Sequence, residues 1–455
     1  MVKVRYAGRR LAVAGAALAA LGLGSLHAPA AHAAAPLFGA AATYDVGGAN
    51  PASVAIGDLN GDGKPDLVTV NNGDSTLSMV LGNGDGTFRA PITRTVGSVP
   101  YSVAIGDLNG DGKSDLAVIS AGTDNSIAAG DTSDSNAGIV SAFLGDGSGA
   151  FASAPLTRTT GGAFSVYGAL GDLNGDGKPD LAVANYGGNT ISLLAGNGDG
   201  TFITPTTRTV GTGPYSVAIG DLNGDGKPDL AVANAYGDNT VSVLPGGGGA
   251  FGSYDAPTSF GASASYAVGT TPRAVAIGDL NGDGKPDLAT ANAADTDNSV
   301  SVLLGVGGGA FGVAAGQRSG STPVSVAISD FDGDGKPDLV AANADGNDLS
   351  VLPGRGNGTF SPVVRFPVGL GPDAVVVGDL NGDGKPDLVA ANAQGNSVSV
   401  LLNQSPNGGG GGGGGATPEL GSGELLATGL VPALALLLYR RRRTLRANTM
   451  PRTTA

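Results

Sequence analysis

One nine-residue pattern, D-x-N-x-D-G-x-x-D, recurs seven times along the chain (once with Asp at its third position) and restricts the fold more than any other feature. It lies within a longer run, V-A-I-G-D-L-N-G-D-G-K-P-D-L, first present at Val54–Leu67. The leading aspartates of the seven copies are Asp58, Asp107, Asp172, Asp221, Asp279, Asp330 and Asp379. Successive copies are 49, 65, 49, 58, 51 and 49 residues apart. A period of this length indicates a repeat architecture, in which one supersecondary unit is copied along the chain.

Each repeat holds four short apolar segments separated by Gly, Asn and Asp. In the first repeat they are Ser53–Gly57, Leu67–Val70, Thr76–Leu81 and Ile92–Val96. Short segments rich in Val, Ile, Leu and Thr and bounded by turn residues predict β-strands, and no window has a sustained helical period. Four strands per repeat predict the blade of a propeller, so the predicted fold is all-β, a seven-bladed β-propeller of four-stranded blades. A solenoid is the alternative, but it needs distinct capping repeats, and these repeats are nearly identical.

The two ends of the repeat region complement each other. The last repeat stops after its third segment, Ser397–Asn403. Its missing fourth segment matches Thr43–Gly47, which follows Leu37-Phe38-Gly39 as the fourth segment of other repeats follows Gly-Thr-Phe. We therefore predict a propeller over residues 36–404, closed by its N-terminal strand, which covers edges that would otherwise invite aggregation. Two longer repeats carry insertions, at Thr123–Ala137 and roughly at Ser253–Ser265.

The repeated loop offers side-chain oxygen atoms at positions 1, 3, 5 and 9, and a backbone carbonyl at position 7. Calcium prefers six to eight hard oxygen ligands in a flexible cage, and clustered carboxylates repel one another without a cation. The loop therefore predicts a calcium site in each repeat, and up to seven Ca²⁺ ions in the chain. The predicted ligands, in chain order, are Asp58, Asn60, Asp62, Lys64, Asp66, Asp107, Asn109, Asp111, Lys113, Asp115, Asp172, Asn174, Asp176, Lys178, Asp180, Asp221, Asn223, Asp225, Lys227, Asp229, Asp279, Asn281, Asp283, Lys285, Asp287, Asp330, Asp332, Asp334, Lys336, Asp338, Asp379, Asn381, Asp383, Lys385 and Asp387.

Other structures share parts of this pattern. An EF-hand needs Glu at position 12, where Thr69 stands, and it needs flanking helices, as a dockerin loop does. Both flanks of this loop are predicted strands. A metal-free Asx-rich turn stays open, because Asn-Gly and Asp-Gly also favour hairpins. Against it, the seven loops hold 22 of the 37 Asp residues, and a plain turn does not require this self-repulsion.

Composition excludes several classes of function. The chain has no Cys, so disulfides, thiol nucleophiles and thiolate-bound metals are excluded. Its two His, His27 and His32, precede the repeats, which therefore lack His for general-base or zinc chemistry. Residues 34–405 have a net charge of −22, which argues against nucleic acid or anionic lipid as a partner. We expect no catalytic residues, the one alternative being an Asp outside the loops.

The segments outside the repeats are typical of export and surface attachment. Residues 1–33 combine basic residues, an apolar run and a small-residue cleavage site, which predicts a signal peptide for Sec or, from Arg9-Arg10, twin-arginine export. Residues 405–417 form a Gly-rich linker. Residues 418–446 contain a short motif, an apolar run and an Arg cluster, and resemble bacterial surface-sorting signals of the LPXTG and PEP-CTERM kinds. This segment is expected to contact the membrane or sorting machinery, and a plain transmembrane helix is the alternative.

The run V-A-I-G-D-L-N-G-D-G-K-P-D-L followed by G-N-G-D-G-T-F resembles the FG-GAP/VCBS repeat family, whose best-known members are the propellers of integrin α-subunits. The resemblance covers about Phe38–Asn403. It implies calcium between the first and second strands of each blade, and ligands on the opposite face. Two loops depart mildly: Ser114 replaces Pro in the second, and Asp332 replaces Asn in the sixth, which we expect to bind calcium most tightly. The residues of the implied ligand-facing loops are Tyr101, Tyr186, Tyr215, Tyr236, Arg273 and Asp373.

Together these expectations describe an exported, monomeric, non-catalytic module for adhesion or ligand binding. The four Tyr lie on the second to fourth blades, and aromatic faces stack on polysaccharide or peptide, so the expected ligand is an extracellular glycan or protein. The same Tyr could instead cap the seams between blades. The alternative function is a calcium-stabilised structural protein of the cell surface without a specific ligand, which near-identical blades would suit.

Overall fold

The computed structural model describes residues 37–122, 137–247, 260–294 and 298–405. Within these ranges the regular elements are all β-strands. They form seven four-stranded antiparallel sheets and one small two-stranded hairpin. In six sheets the strands pair in chain order, and each sheet coincides with one sequence repeat. The predicted all-β, seven-bladed propeller is therefore confirmed.

The strands take the same places in every blade. The first strands are β2 (Pro51–Gly57), β6 (Pro100–Gly106), β10 (Ser165–Gly171), β14 (Pro214–Gly220), β18 (Pro272–Gly278), β24 (Pro323–Ser329) and β28 (Pro372–Gly378). The second strands are β3 (Asp66–Asn71), β7 (Asp115–Ser120), β11 (Asp180–Asn185), β15 (Asp229–Asn234), β19 (Asp287–Asn292), β25 (Asp338–Asn343) and β29 (Asp387–Asn392).

The outer two strands complete each blade. The third strands are β4 (Thr76–Val80), β8 (Ala137–Phe143), β12 (Thr190–Leu194), β16 (Thr240–Leu244), β20 (Ser299–Leu303), β26 (Asp348–Leu352) and β30 (Ser397–Leu401). The fourth strands are β5 (Ile92–Thr95), β9 (Leu156–Ala163), β13 (Thr206–Thr209), β17 (Ala264–Ala267), β23 (Ala315–Arg318), β27 (Val364–Pro367) and β1 (Ala42–Asp45). A small hairpin in the fifth blade adds β21 (Gly305–Gly307) and β22 (Ala310–Phe311).

Burial along a blade follows its composition. All six residues of β3, D-L-V-T-V-N, are buried, because the second strand packs against neighbouring blades on both of its faces. The fourth strand β5, I-T-R-T, is mostly exposed and forms part of the rim. Apolar side chains of successive blades meet in layers, as Val68 of the first blade does with Ile105 and Leu116 of the second. The core is therefore a ring of interblade layers.

The first blade closes on the seventh. β1 pairs with β30 in an antiparallel register from Ala42↔Val400 to Asp45↔Ser397, so the N-terminal strand is the fourth strand of the last blade. The bridge Phe38↔Asn403 takes the place that Gly82↔Phe88 has in the first blade. β28 contacts β2 as β2 contacts β6. The predicted closure by the N-terminal strand is confirmed.

Antiparallel pairing places the connections of each blade at two ends. Loops between first and second strands, and turns between third and fourth strands, lie at the loop end, where Gly57 pairs with Asp66. Hairpins between second and third strands lie at the hairpin end, where Pro51 pairs with Asn71. The aspartate loops and the predicted ligand-facing residues are therefore at opposite ends of the blades.

Several predictions lie outside the described residues. These are the signal peptide (1–33), most of the linker (405–417), the sorting segment (418–446), and parts of both insertions. In the part of the chain that the structure describes, no helix has the length and apolar character needed to cross a membrane.

Candidate functional site

The aspartate loops have one geometry, set by the carboxylate at position 1. Asp58 Oδ1 accepts hydrogen bonds from the amides of Gly61 (2.7 Å) and Asp62 (3.2 Å), and its Oδ2 accepts one from Gly63 (2.8 Å). Gly61 and Gly63 have φ of 73° and 75°, a left-handed conformation that glycine adopts without steric cost. The two glycines let the backbone wrap around the first carboxylate, which accepts these three amides of its own loop.

The carboxylate at position 9 is fully buried and is held from two sides. Asp66 Oδ2 accepts the amide of Leu59 (3.0 Å), and Asp66 Oδ1 accepts the amide of Gly82 (2.7 Å), which begins the turn between third and fourth strands. The same pair of bonds occurs in all seven blades. The ninth aspartate therefore joins its loop to the neighbouring turn, a structural role that the sequence analysis did not assign to it.

The turn that meets this aspartate requires a residue without a side chain in most blades. A Cβ added to Gly82 would lie 2.0 Å from the carbonyl oxygen of Pro65. The seventh blade has Asn403 at this place, and its amide makes the equivalent bond to Asp387 (2.7 Å). The repeated Gly of G-N-G-D-G was the sequence signal for this contact.

Burial makes the ninth carboxylates poor anions when no cation is near. Burial, together with the charges of Asp176 and Asp172 at positions 5 and 1 of the same loop, raises the pKa of Asp180 to about 7. For the same reasons the pKa of Asp338 is raised to about 7 and that of Asp387 to about 6. A bound cation removes this cost, because an adjacent positive charge favours the ionised form of a carboxyl group.

The aspartate at position 5 also bonds within its own loop. Asp62 Oδ1 accepts the amide of Lys64, and its Oδ2 lies 3.9 Å from the Lys64 ammonium. The equivalent contact is closer in the fifth blade, where Lys285 Nζ lies 3.1 Å from Asp283 Oδ2. Four of the seven loops have this ion pair between the fifth carboxylate and the lysine at position 7, those of Asp62, Asp111, Asp283 and Asp334.

The sixth loop brings three carboxylates together. One oxygen each of Asp330, Asp332 and Asp338 lies within 4.8 Å of the others. In the other six loops Asn replaces the middle carboxylate, so an amide oxygen stands in the matching position of the sequence. These oxygen-only donor sets fit a hard cation such as calcium. The hydrogen bonds of the loop also fit a metal-free Asx turn, so it is the donor chemistry and the raised pKa values that favour the cation.

At the hairpin end, four of the six predicted ligand-facing residues hold equivalent positions. Tyr101, Tyr215, Arg273 and Asp373 are each the second residue of a first strand, at the bulge where the register with the second strand shifts. All four are buried. Their side chains therefore lie inside the ring, as a seam-capping role requires.

The other two predicted residues can be reached from solvent. Tyr186 is half-buried, and Tyr236 is 45% exposed. Both follow the second strand of their blade, Tyr186 after β11 and Tyr236 two residues after β15. The six residues thus do not form one exposed surface, since burial divides them into an inner set of four and an outer pair. Their role in ligand binding stays a prediction.

Comparison with known proteins places the repeats in one family of sequences. Residues 58–118, 172–232, 221–290, 279–341 and 330–390 match the model of the FG-GAP-like repeat, and these matches cover more than half of the chain. Residues 99–143 and 371–416 match the model of the FG-GAP repeat. No curated protein matches the chain significantly.

Solved structures with the same fold are distant in sequence. A chain of the BBS1N–ARL6DN complex is 13% identical, with a TM-score of 0.54, over 82% of this chain and 98% of that one. Hydrazine synthase of Kuenenia stuttgartiensis is 16% identical, with a TM-score of 0.53, over 80% and 98%. A putative 6-phosphogluconolactonase of Bacteroides fragilis is 16% identical, with a TM-score of 0.51, over 77% and 93%. At such identities the likeness concerns the propeller fold alone.

Proposed function

The chain belongs to the FG-GAP repeat family, and from this premise we propose that it is an exported, calcium-stabilised propeller that binds a ligand outside the cell. The observation that carries the proposal is the aspartate loop, which is present in all seven blades with the same hydrogen bonds. A plain hairpin does not require a loop with several carboxylates. Seven copies of such a loop are what we expect if each blade of the ring is stabilised by a bound cation.

Calcium would be held by the side-chain oxygens at positions 1, 3 and 9, and the carboxylate at position 5 would be a further oxygen ligand. When bound, the cation supplies positive charge that keeps the buried ninth carboxylate ionised. The chain itself supplies the rest of the stabilisation. In the first blade, the Asp66 carboxylate already links the loop to Gly82, so fixing that carboxylate also fixes the turn between third and fourth strands. Cation binding is thereby coupled to the order of the whole loop end.

A binding role without catalysis agrees with the residues of the ring. Residues 34–405 contain no His, Cys, Trp or Glu, and most Asp side chains belong to the loops. The structural neighbours that are named as enzymes share only the fold at their low identity. We propose an extracellular glycan or protein as ligand, a monomeric ring, and adhesion or ligand capture as its role.

Export and surface attachment are supported by the ends of the sequence. Residues 1–33 have the pattern of a signal peptide, and residues 418–446 have that of a sorting or anchor segment. FG-GAP repeats are typical of extracellular and surface proteins, which agrees with both patterns. We propose that the propeller is displayed at the cell surface on its Gly-rich linker, residues 405–417.

A calcium titration tests the first half of the proposal. The purified chain is stripped of metal with a chelator, and its thermal unfolding is followed as calcium is added, with magnesium as the control. A ligand that binds only the folded state raises the midpoint with its concentration. We expect a steep rise that saturates near seven ions per chain, one for each loop. An unchanged midpoint would show that the loops are ordinary turns.

An array of glycans and extracellular-matrix proteins tests the second half. The calcium-loaded chain should bind a defined group of glycans or proteins on the array. The competing proposal is a structural surface protein without a ligand, and near-identity of the repeats favours it. If the chain binds nothing on the array and is abundant in the cell wall, the structural role is favoured.

A further inference from the structure

The seven blades are internal copies of one unit. Positions at which the residue differs from blade to blade therefore mark features that the repeat itself does not require. Two positions at the hairpin end differ most visibly between blades. The bulge residues of the first strands form an inner set: Ala52, Tyr101, Val166, Tyr215, Arg273, Val324 and Asp373. The residues whose amides bond back across the hairpin to the start of the first strand form a middle set: Asn72, Ala121, Tyr186, Ala235, Ala293, Ala344 and Ala393.

The aromatic residues of these two sets lie on neighbouring blades and contact one another through Phe164. Tyr101 packs edge-to-face on Phe164 at 5.4 Å between ring centroids, and Phe164 packs on Tyr186 at 6.0 Å. Tyr186 then packs on Tyr215 at 5.4 Å. The guanidinium of Arg273 lies over the Tyr215 ring, 5.6 Å from its centroid. The second to fifth blades therefore contribute one continuous arc that ends in a cation.

Two hydrogen-bond donors at the end of this arc are buried without an acceptor. The Tyr215 hydroxyl and Arg273 Nε have no partner among the described residues, and the two residues are only 2% and 4% exposed. Burial raises the pKa of Tyr215 well above its usual value, so the hydroxyl stays a donor. Two adjacent unpaired donors call for an oxygen acceptor, since leaving them unpaired is unfavourable.

The outer pair of tyrosines joins this arc to solvent. A Cβ added to Gly213 would lie 2.7 Å from the Cβ of Tyr236 and 3.2 Å from Cε2 of Tyr186, so the glycine leaves room for both tyrosines beside it. The Gly213 amide donates to the side chain of Asn189 (2.9 Å), and Asp238 accepts the amide of the residue before Gly213 (2.6 Å). The half-buried Tyr186 and the exposed Tyr236 therefore lie on either side of Gly213. Tyr186 also packs on Tyr215, one of the two buried donors.

We propose that the hairpin end of the third to fifth blades binds an acidic sugar, with its pyranose ring against Tyr186 and Tyr236 and its carboxylate accepting from Tyr215 and Arg273. Aromatic rings offer apolar contact to the CH face of a sugar, and a guanidinium forms strong charge-assisted bonds with a carboxylate. This inference rests on the proposed ligand-binding function and specifies its ligand class.

The acidic character of the chain does not oppose such a ligand. The loops hold 22 of the 37 Asp residues, and they lie at the other end of the blades. A first strand of seven residues such as β2 spans about 23 Å, which is more than two Debye lengths of about 8 Å at physiological salt. The loop charges are therefore screened at the hairpin end. The charged groups near the site are Arg273, the buried Asp373, which like Arg273 acts on Tyr215, and Asp238, which accepts the amide of the residue before Gly213.

Calorimetric titration of the calcium-loaded full chain with tri-galacturonate tests the inference. The methyl ester of the same trisaccharide is the matched ligand control, because it removes the charge and keeps the sugar rings. Tyr215→Phe removes the hydroxyl donor, and Arg273→Gln removes the positive charge together with the Nε donor. Tyr266→Phe on the rim of the fourth blade is the matched protein control. We expect the ester to bind at least about tenfold more weakly than the acid, the two donor variants to lose about tenfold in affinity, and Tyr266→Phe to lose none.

Tyr215→Phe also separates binding from folding, because the hydroxyl it removes has no partner to lose. Its melting temperature should equal or exceed that of the parent chain while its affinity falls. Equal affinity for acid and ester, or unchanged affinity in both donor variants, would overturn the inference. Binding of neutral glycans, acidic peptides or matrix proteins alone would also overturn it, but would leave the proposed ligand-binding function intact. If none of these probes binds, the result would count against both the acidic-sugar site and the proposed ligand-binding function.

Discussion

Two tyrosines in equivalent positions, Tyr101 and Tyr215, offer a matched test of hydrogen bonding inside the ring. Both are the bulge residue of a first strand, and both are almost fully buried. The Tyr101 side chain is hydrogen-bonded to Asn72, which also donates to the carbonyl of Pro100 (3.2 Å). The Tyr215 hydroxyl has no partner in the described structure. Substitution by Phe keeps each ring and removes only the oxygen.

The expected effects have opposite signs. Tyr101→Phe leaves a buried group of Asn72 unpaired, which costs about 1–3 kcal/mol of unfolding free energy. Tyr215→Phe removes a hydroxyl that was desolvated without compensation, so we expect no loss and a gain of up to about 1 kcal/mol. The two variants should therefore differ by about 2 kcal/mol, although they make the same chemical change two blades apart. For a ring of this length 1 kcal/mol corresponds to roughly 1–2 °C in melting temperature.

Urea unfolding at saturating calcium, followed by tyrosine fluorescence and circular dichroism, measures both variants beside the parent chain. The slope of free energy against urea must stay the same, so that the midpoints report stability alone. If Tyr215→Phe loses as much stability as Tyr101→Phe, the Tyr215 hydroxyl is bonded in solution, for example to an ordered water. The reasoning that assigns it as an orphan donor would then be refuted, together with its use in the acidic-sugar site.

Three further predictions follow from the loops and the backbone. In chelator, Asp180 and Asp338 have a pKa of about 7 in the folded chain, above the ordinary Asp value. Their protonated forms therefore stabilise the folded chain at acid pH, and this stabilisation is lost as pH rises through about 7. The melting temperature in chelator should fall between about pH 4, the ordinary pKa of Asp, and about pH 7, and excess calcium should abolish that fall; identical profiles would contradict the assignment. Thr271 has φ of 58°, which is strained for a β-branched residue, so Thr271→Asn should add about 1 kcal/mol in urea unfolding, whereas Thr271→Ala, which lacks the side-chain amide that stabilises Asn in this conformation, should not. Asp332→Asn should weaken the tightest calcium site in a competition titration with a fluorescent chelator, and an unchanged tightest affinity would show that this site lies elsewhere.

Most of the fold could be predicted because each blade repeats local signals. The nine-residue loop and its period gave the number of blades, and the short apolar segments gave four strands in each. The end of the last repeat at Asn403, with a matching segment at Thr43–Gly47, was enough to predict closure, which the pairing of β1 with β30 confirms. These inferences needed only spacing and composition, because strands and turns are specified by residues near one another in sequence.

The candidate site could be predicted only in part. The loop residues were identifiable from their spacing, but not the bonds that tie Asp66 to Gly82, since the partner lies sixteen residues away along the chain. Nor could sequence reveal that the Asp62 carboxylate accepts the backbone amide of Lys64. Tyr101 and Tyr236 looked alike as loop tyrosines, yet one is buried at a bulge and the other is exposed at a hairpin.

The sequence by itself determined the repeat, the strand content, the closure of the ring and the identity of the loop oxygens. Only the tertiary structure decided which side chains of the hairpin end face inward, because a β-bulge turns one residue of each first strand out of the regular alternation. It also brought residues of the second to fifth blades into one arc, from Tyr101 to Arg273. Such contacts join residues far apart in the chain, so they depend on how neighbouring blades pack, which no local pattern encodes.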